Sequence, residues 1–170
     1  GLGAFLHAQS PRLLPRADTL PPQNLLIHSE RLHTSGQPNA EQLTVLRPSG
    51  YGLVINLSPP DAIGAVPEEA VLVAGSGVGY VNIPVAWGQP RYADFALFSA
   101  VMQAAQDRRV LVHCQANMRA SAFVFLYRVI HERADPDSAY ADVLSLWVPD
   151  VQWSVFMRET LARHGIDFAP

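Results

Sequence analysis

Apolar positions along the chain fall into short continuous runs separated by helical stripes. Gly52 to Leu57, Tyr80 to Val85 and Val110 to Val112 are short, rich in β-branched residues and bounded by turn residues, the pattern of buried parallel strands. Leu25 to Thr34 reads as a further short strand or strand pair, closed by the turn Ser35-Gly36-Gln37-Pro38. Between these runs lie helix signals. Asn39 with Gln42 three residues on predicts a capped helix to about Leu46, stopped by Pro48 and Gly50. Pro67, Glu68 and Glu69 predict the first turn of a short helix to about Ala74, ended by Gly75, Gly77 and Gly79. Because that glycine string follows a helix and precedes a strand, it reads as a turn and not as a nucleotide loop.

The second half is more helical. Tyr92 to about Gln106 places Phe95, Phe98, Val101 and Met102 on one face, as a core-facing helix does. Phe123, Leu126, Val129 and Ile130 predict a helix ending near Ala134. Asp135 and Pro136 begin another, running to about Val148, and Val151 to His164 form a last one capped by Gly165. Trp147, Trp153 and Phe156 are expected to pack this C-terminal layer, with a partner surface as the other reading. Strands alternating with helices and followed by consecutive helices predict an α/β sandwich, with a central, mostly parallel sheet flanked by helices.

Composition sets bounds on this picture. A chain of 170 residues that is 49% hydrophobic can bury one sizeable core, so a single domain over 25–170 is expected. Residues 1–24 carry Pro11, Pro15, Pro21 and Pro22 without periodicity and read as an extended arm. The stretch GLGAFLHAQS reads equally as the end of a signal peptide or as a tail. A net charge of −3 argues against nucleic acid as a partner. All 12 basic residues are arginine, which reflects genome bias before function. No apolar run approaches the roughly twenty residues that span a bilayer. The single cysteine excludes an internal disulfide and leaves cytoplasm and periplasm both open.

That cysteine is where chemistry enters. Arg109-Val-Leu-Val-His-Cys-Gln-Ala-Asn-Met-Arg-Ala-Ser121 reads as a strand, a tight loop and the start of a helix, so successive backbone N–H groups and the positive helix end converge on one spot. Cys114 lies at its rim beside His113 and five residues before Arg119. Those neighbours favour a thiolate over the free thiol, whose ordinary pKa is about 8.5. Arg119 can fork two donors onto a tetrahedral oxyanion, and Ser121 can donate to the sulfur as leaving group. The bland alternative is a buried, inert cysteine at a strand end, with His113 a satisfied core histidine. The other histidines, His7, His28, His33, His131 and His164, show no metal-ligand spacing.

HCQANMRAS resembles the phosphate-binding loop of cysteine-dependent protein tyrosine and dual-specificity phosphatases. In most of that superfamily five residues separate cysteine from arginine, a frame that puts Ala120 at the arginine position and Ser121 at the hydroxyl position. Arg119 fits a loop of four residues, the spacing of the bacterial beta-lactamase-hydrolase-like branch, which the upstream LHTSGQPNAEQLTVLRPSGYGLVINL also resembles. The resemblance covers about Leu25 to Ile130. Asn117 stands where these families have glycine, a substitution compatible with positive φ.

The resemblance implies a phosphatase-like sandwich and hydrolysis of phosphate monoesters, phosphotyrosine among them, without cofactor. The partners would be a phosphorylated protein or a small-molecule phosphate. Cys114 would attack phosphorus, with His113 orienting or stabilising the thiolate. Arg119 and the backbone N–H groups of Gln115, Ala116, Asn117, Met118 and Ala120 would hold the oxygens, and Trp87 would wall an aryl pocket. The aspartate that the resembling enzymes carry after the strand matched by Tyr80 to Val85 is absent from Val85-Ala86-Trp87-Gly88-Gln89-Pro90. Asp94 is the nearest candidate general acid and Asp61 a more distant one, while Gln37 is a further polar candidate. Two other readings remain: a catalytically silent phosphate- or partner-binding module, and a rhodanese-type sulfurtransferase, which also places four residues between cysteine and arginine.

Overall fold

In the computed structural model, which describes residues 19–170, the apolar runs form one five-stranded sheet in the order β1-β2-β5-β3-β4. The strands are β1 (Leu26–Ile27), β2 (Leu32–Ser35), β3 (Tyr51–Asn56), β4 (Gly79–Asn82) and β5 (Arg109–His113). Strands β2, β5, β3 and β4 run parallel, and β1 pairs antiparallel with β2. The expectations for residues 1–18, including GLGAFLHAQS and most of the arm, lie outside the described residues.

Central β5 is buried on both faces, as a parallel strand between helix layers must be. Val110 and Val112 join Leu53, Ile55 and Leu57 in the larger core, while Leu111 and Val54 point the other way into a smaller one. The smaller core is covered by α1 (Ala40–Thr44) and α2 (Glu69–Gly75) through Leu43, Leu46 and Val73. The larger is covered by α3 (Tyr92–Ala104), α4 (Met118–His131), α5 (Pro136–Leu144) and α6 (Val151–Arg163). Helix α4 is buried almost around its circumference, so it is the axle of that layer.

Local chemistry accounts for most boundaries. Asn39 and Gln42 form the capping box expected of them, with Gln42 N donating to Asn39 Oδ1 at 2.8 Å and Asn39 N to Gln42 Oε1 at 2.9 Å. Asp135 and Asp150 cap α5 and α6. Gly77, at φ +78°, turns the chain from α2 into β4. Several expected elements are shorter than the pattern implied. Helix α2 begins two residues after Pro67, and the ladder of β4 ends at Asn82, whose side chain donates to Asn56 O and Ser58 O. Helix α5 stops at Leu144 and not Val148. This release lets Trp147 turn inward, where its indole donates to Ser121 Oγ at 3.2 Å. Trp147, Trp153 and Phe156 are all buried in the helical layer, and Trp153 packs edge-on against Phe156 at 5.5 Å between ring centroids. No helix among the described residues is long and apolar enough to cross a membrane.

Candidate active site

The C-terminal end of β5 delivers Cys114 directly to the head of α4. Three residues, Gln115 to Asn117, make the turn, and Asn117 adopts φ +69°, the left-handed conformation that asparagine tolerates. Cys114 and Arg119 then line one cavity of about 330 Å³ with Trp87, Gln115, Ala116 and Met118.

Arg119 is 6% exposed, and its guanidinium is fixed at two points: Nη1 donates to Val85 O at 2.9 Å and Nη2 to Ser58 Oγ at 3.2 Å. A guanidinium carries five N–H donors, so these bonds set its plane and leave donors for an anion in the cavity. Ala120, the residue a five-residue loop would use, is fully buried in the larger core. It can contribute no side chain to a ligand, and the short frame ending at Arg119 is the one that faces the cavity.

The carbonyls of the loop are all tied off away from this space. Cys114 O meets His113 Nδ1 at 3.2 Å, Gln115 O accepts from Gln37 N at 3.0 Å, and Ala116 O accepts from Asn24 Nδ2 at 3.2 Å. A trans peptide holds its N–H opposite its C=O, so these bonds turn the following N–H groups the other way. Gly36 makes the close approach possible: a Cβ there would stand 2.7 Å from Gln115 O.

Behind the loop lies a feature that sequence reasoning assigned only to a helix first turn. Glu69 is 4% exposed, and its Oε2 contacts His113 Nε2 at 2.5 Å while Oε1 accepts from Gln37 Nε2 at 2.6 Å. Both nitrogens of His113 therefore face acceptors. The contact with Glu69 leaves neither of these buried polar side chains without a partner. Gln37 is thus a structural link between Glu69 and the loop. Nearby, burial pushes the Tyr80 phenol up to about 12, with the Asn56 bond opposing and the Glu69 charge adding.

Other candidates are placed differently from expectation. Ser121 is buried; its hydroxyl donates to Met118 O at 3.0 Å and accepts from Trp147, so its proton serves the helix and not the sulfur. Asp94 lies in the first turn of α3, outside the lining of the Cys114 cavity, with its carboxylate taken by Arg91 at 3.0 Å. Asp61 is exposed and also outside that lining. Trp87 does wall the cavity. It is 42% exposed and packs on Trp147 and Trp153, with centroids 5.5 and 5.4 Å away. Ser58 and the Val85 carbonyl, which orient Arg119, had no sequence signal beyond their places at strand ends.

A mostly parallel sheet whose central strand feeds a cysteine into a tight loop, followed by an arginine from the next helix, defines the class of protein tyrosine phosphatase-like folds. A DUF442 protein from Shewanella putrefaciens, described as a putative phosphatase, is 34% identical, with a TM-score of 0.76 over 84% of this chain and 93% of that one. The chain belongs to this DUF442 family. The beta-lactamase hydrolase-like protein of Xylella fastidiosa is 33% identical over 117 residues, 66% of this chain. The chain spans only 27% of that relative's length. Pseudomonas aeruginosa TpbA, crystallised with phosphotyrosine, shares the fold at 21% identity and a TM-score of 0.60, over 85% of both chains. No protein-family model matches.

Proposed function

We propose that the protein hydrolyses phosphate monoesters through a phosphocysteine intermediate. The observation that carries this reading is the convergence of Cys114 and Arg119 on one cavity, at a loop whose carbonyls are all bonded on the opposite side. The Cys114 thiolate attacks phosphorus in line, forming the S–P bond as the ester P–O bond breaks and the alcohol oxygen leaves. Arg119 and the loop N–H groups hold the equatorial oxygens, where charge is spread in the transition state. Water then attacks phosphorus, releasing inorganic phosphate and regenerating the thiolate. The exposed Trp87 face favours an aryl ester, and the phosphotyrosine in the TpbA complex is an ester of that type.

No carboxylate lines the cavity among the described residues, so the leaving oxygen departs without a general acid of the usual kind. General acid catalysis contributes about 10²–10⁴-fold, so turnover is confined to good leaving groups. The same observation favours a second reading, a phosphate-binding module without turnover. The deciding experiment is hydrolysis of an activated aryl phosphate by wild type, Cys114→Ser and Arg119→Ala, with thiosulfate-to-cyanide sulfur transfer assayed on the same preparations. Turnover abolished by Cys114→Ser and strongly reduced by Arg119→Ala supports the phosphatase. Phosphate binding without turnover supports the silent module, and sulfur transfer alone supports a sulfurtransferase.

A further inference from the structure

The segment just before β1 is bonded to the phosphate loop residue by residue. Gln23 O accepts from Gly36 N at 2.8 Å, and Gln23 Nε2 reaches Gln115 O at 3.4 Å and Gln37 O at 3.3 Å. Asn24 Nδ2 donates to Ala116 O at 3.2 Å, and in return Asn117 Nδ2 donates to Asn24 O at 2.7 Å. Both asparagines sit in the left-handed region, Asn24 at φ +53° and Asn117 at +69°. Asn117 is fully buried and its Oδ1 has no protein partner among the described residues. An orphaned buried acceptor is destabilising, so folding economy alone does not account for this amide. Glycine would adopt the same φ without that cost. What glycine could not supply is the bond from the loop to Asn24.

We propose that Asn24 is a positioning residue for the phosphate loop, acting with Asn117 as a reciprocal clamp and with Gln23 as its support. The clamp fixes the two peptide planes at 115–116 and 116–117. With Gln115 O bonded by Gln37 N and Gln23 Nε2, the Ala116 N–H is turned to the other side of its peptide, toward the Cys114 cavity that Ala116 lines, where it binds an oxygen of a phosphoryl group in transit. The inference rests on the phosphatase reading above, and it makes residues 23–24 part of the catalytic unit and not of a passive arm.

Two substitutions separate the clamp from backbone strain. Asn117→Gly keeps access to φ +69° and deletes only the bond to Asn24 O. Asn24→Asp keeps the side-chain shape and a residue tolerant of positive φ, but it presents an acceptor to Ala116 O in place of a donor. Each variant is compared with wild type for kcat and KM on an activated aryl phosphate, for orthovanadate and inorganic phosphate affinity by calorimetry, and for Tm. The expected result is a loss of kcat of about tenfold in each variant, the worth of one misplaced hydrogen bond at a charged centre. Orthovanadate affinity falls by a similar factor, while KM and phosphate affinity change several-fold less. The double variant loses little more than either single one, because both act on one link. Values of kcat and orthovanadate affinity within twofold of wild type in both variants would overturn the clamp. So would equal losses in every parameter that merely follow Tm. If wild type shows no turnover, the phosphatase reading fails separately, and the clamp is then decided by orthovanadate affinity alone, a loss supporting it and no change refuting it.

Discussion

Replacing Arg119 tests both the choice of loop frame and the division of labour within the guanidinium. Two of its donors are committed to Val85 O at 2.9 Å and Ser58 Oγ at 3.2 Å, so the side chain is anchored before substrate arrives. Arg119→Ala removes the oxyanion donors and leaves Val85 O and Ser58 Oγ without that partner. Loss of preorganised oxyanion contacts costs about 10²–10³ in kcat, or about 3–4 kcal/mol of transition-state stabilisation. Loss of the two anchoring bonds costs folding stability separately, about 1–3 kcal/mol. Arg119→Lys restores a charge but not the fork, because one ammonium cannot bond both anchors and bridge two phosphoryl oxygens. It is therefore expected to recover no more than about tenfold of the lost kcat. The assay is steady-state hydrolysis of an activated aryl phosphate, with urea denaturation on the same samples. Arg119→Ala retaining kcat within threefold of wild type, while losing stability, would make Arg119 a strut between strand ends and refute its catalytic role.

Other predictions address neighbouring parts of the account. Asp94→Asn leaves kcat and its pH profile within about twofold of wild type, because the carboxylate is held by Arg91 outside the cavity; a tenfold loss confined to poor leaving groups would reinstate it as general acid. Across a series of aryl phosphates, kcat/KM falls steeply as the leaving phenol becomes more basic, and a flat dependence would require a proton donor that the cavity lining does not contain. Trp87→Ala raises KM for aryl phosphates several-fold more than for alkyl phosphates if the ring stacks on substrate, and equally for both if it does not. Burial lowers His28 from 6.5 to about 4, outweighing the Asp142 carboxylate, which Arg128 also engages at 2.9 Å. The folded state thus keeps His28 neutral while the unfolded chain takes up a proton below 6.5, so stability is lost as pH falls from there toward about 4. Between pH 7 and pH 5 His28 accounts for a loss of about 2 kcal/mol in urea denaturation, which His28→Gln removes while leaving the contributions of His33 and His131, also lowered by burial.

The parts of this site that are local in sequence were legible before the structure. Strand, cysteine, tight turn and helix occupy a dozen consecutive residues, and the capping box at Asn39 and Gln42 involves only its own helix. The parts that depend on distant segments were not. Glu69 follows Pro67 and Glu68 in the way a solvated first-turn acid does, and only docking of α2 against β5 brings it to His113, 44 residues away. Ser58 meets Arg119 across 61 residues, and Asn24 meets Ala116 across 92, from a proline-flanked stretch with no periodicity to mark it. Ser121 shows the opposite failure. Its place after the arginine pointed to the sulfur, but helix geometry sends its hydroxyl back to Met118 O and opens it to Trp147.

The central claim is a covalent bond between substrate phosphorus and Cys114. Rapid acid quenching of wild-type protein during turnover of an activated aryl phosphate, followed by peptide mass spectrometry, measures it directly. The account predicts one phosphoryl adduct, on the peptide carrying Cys114, absent from Cys114→Ala and accumulating when the water step is slow. Turnover that continues in Cys114→Ala, or an adduct borne only by another residue, would contradict it.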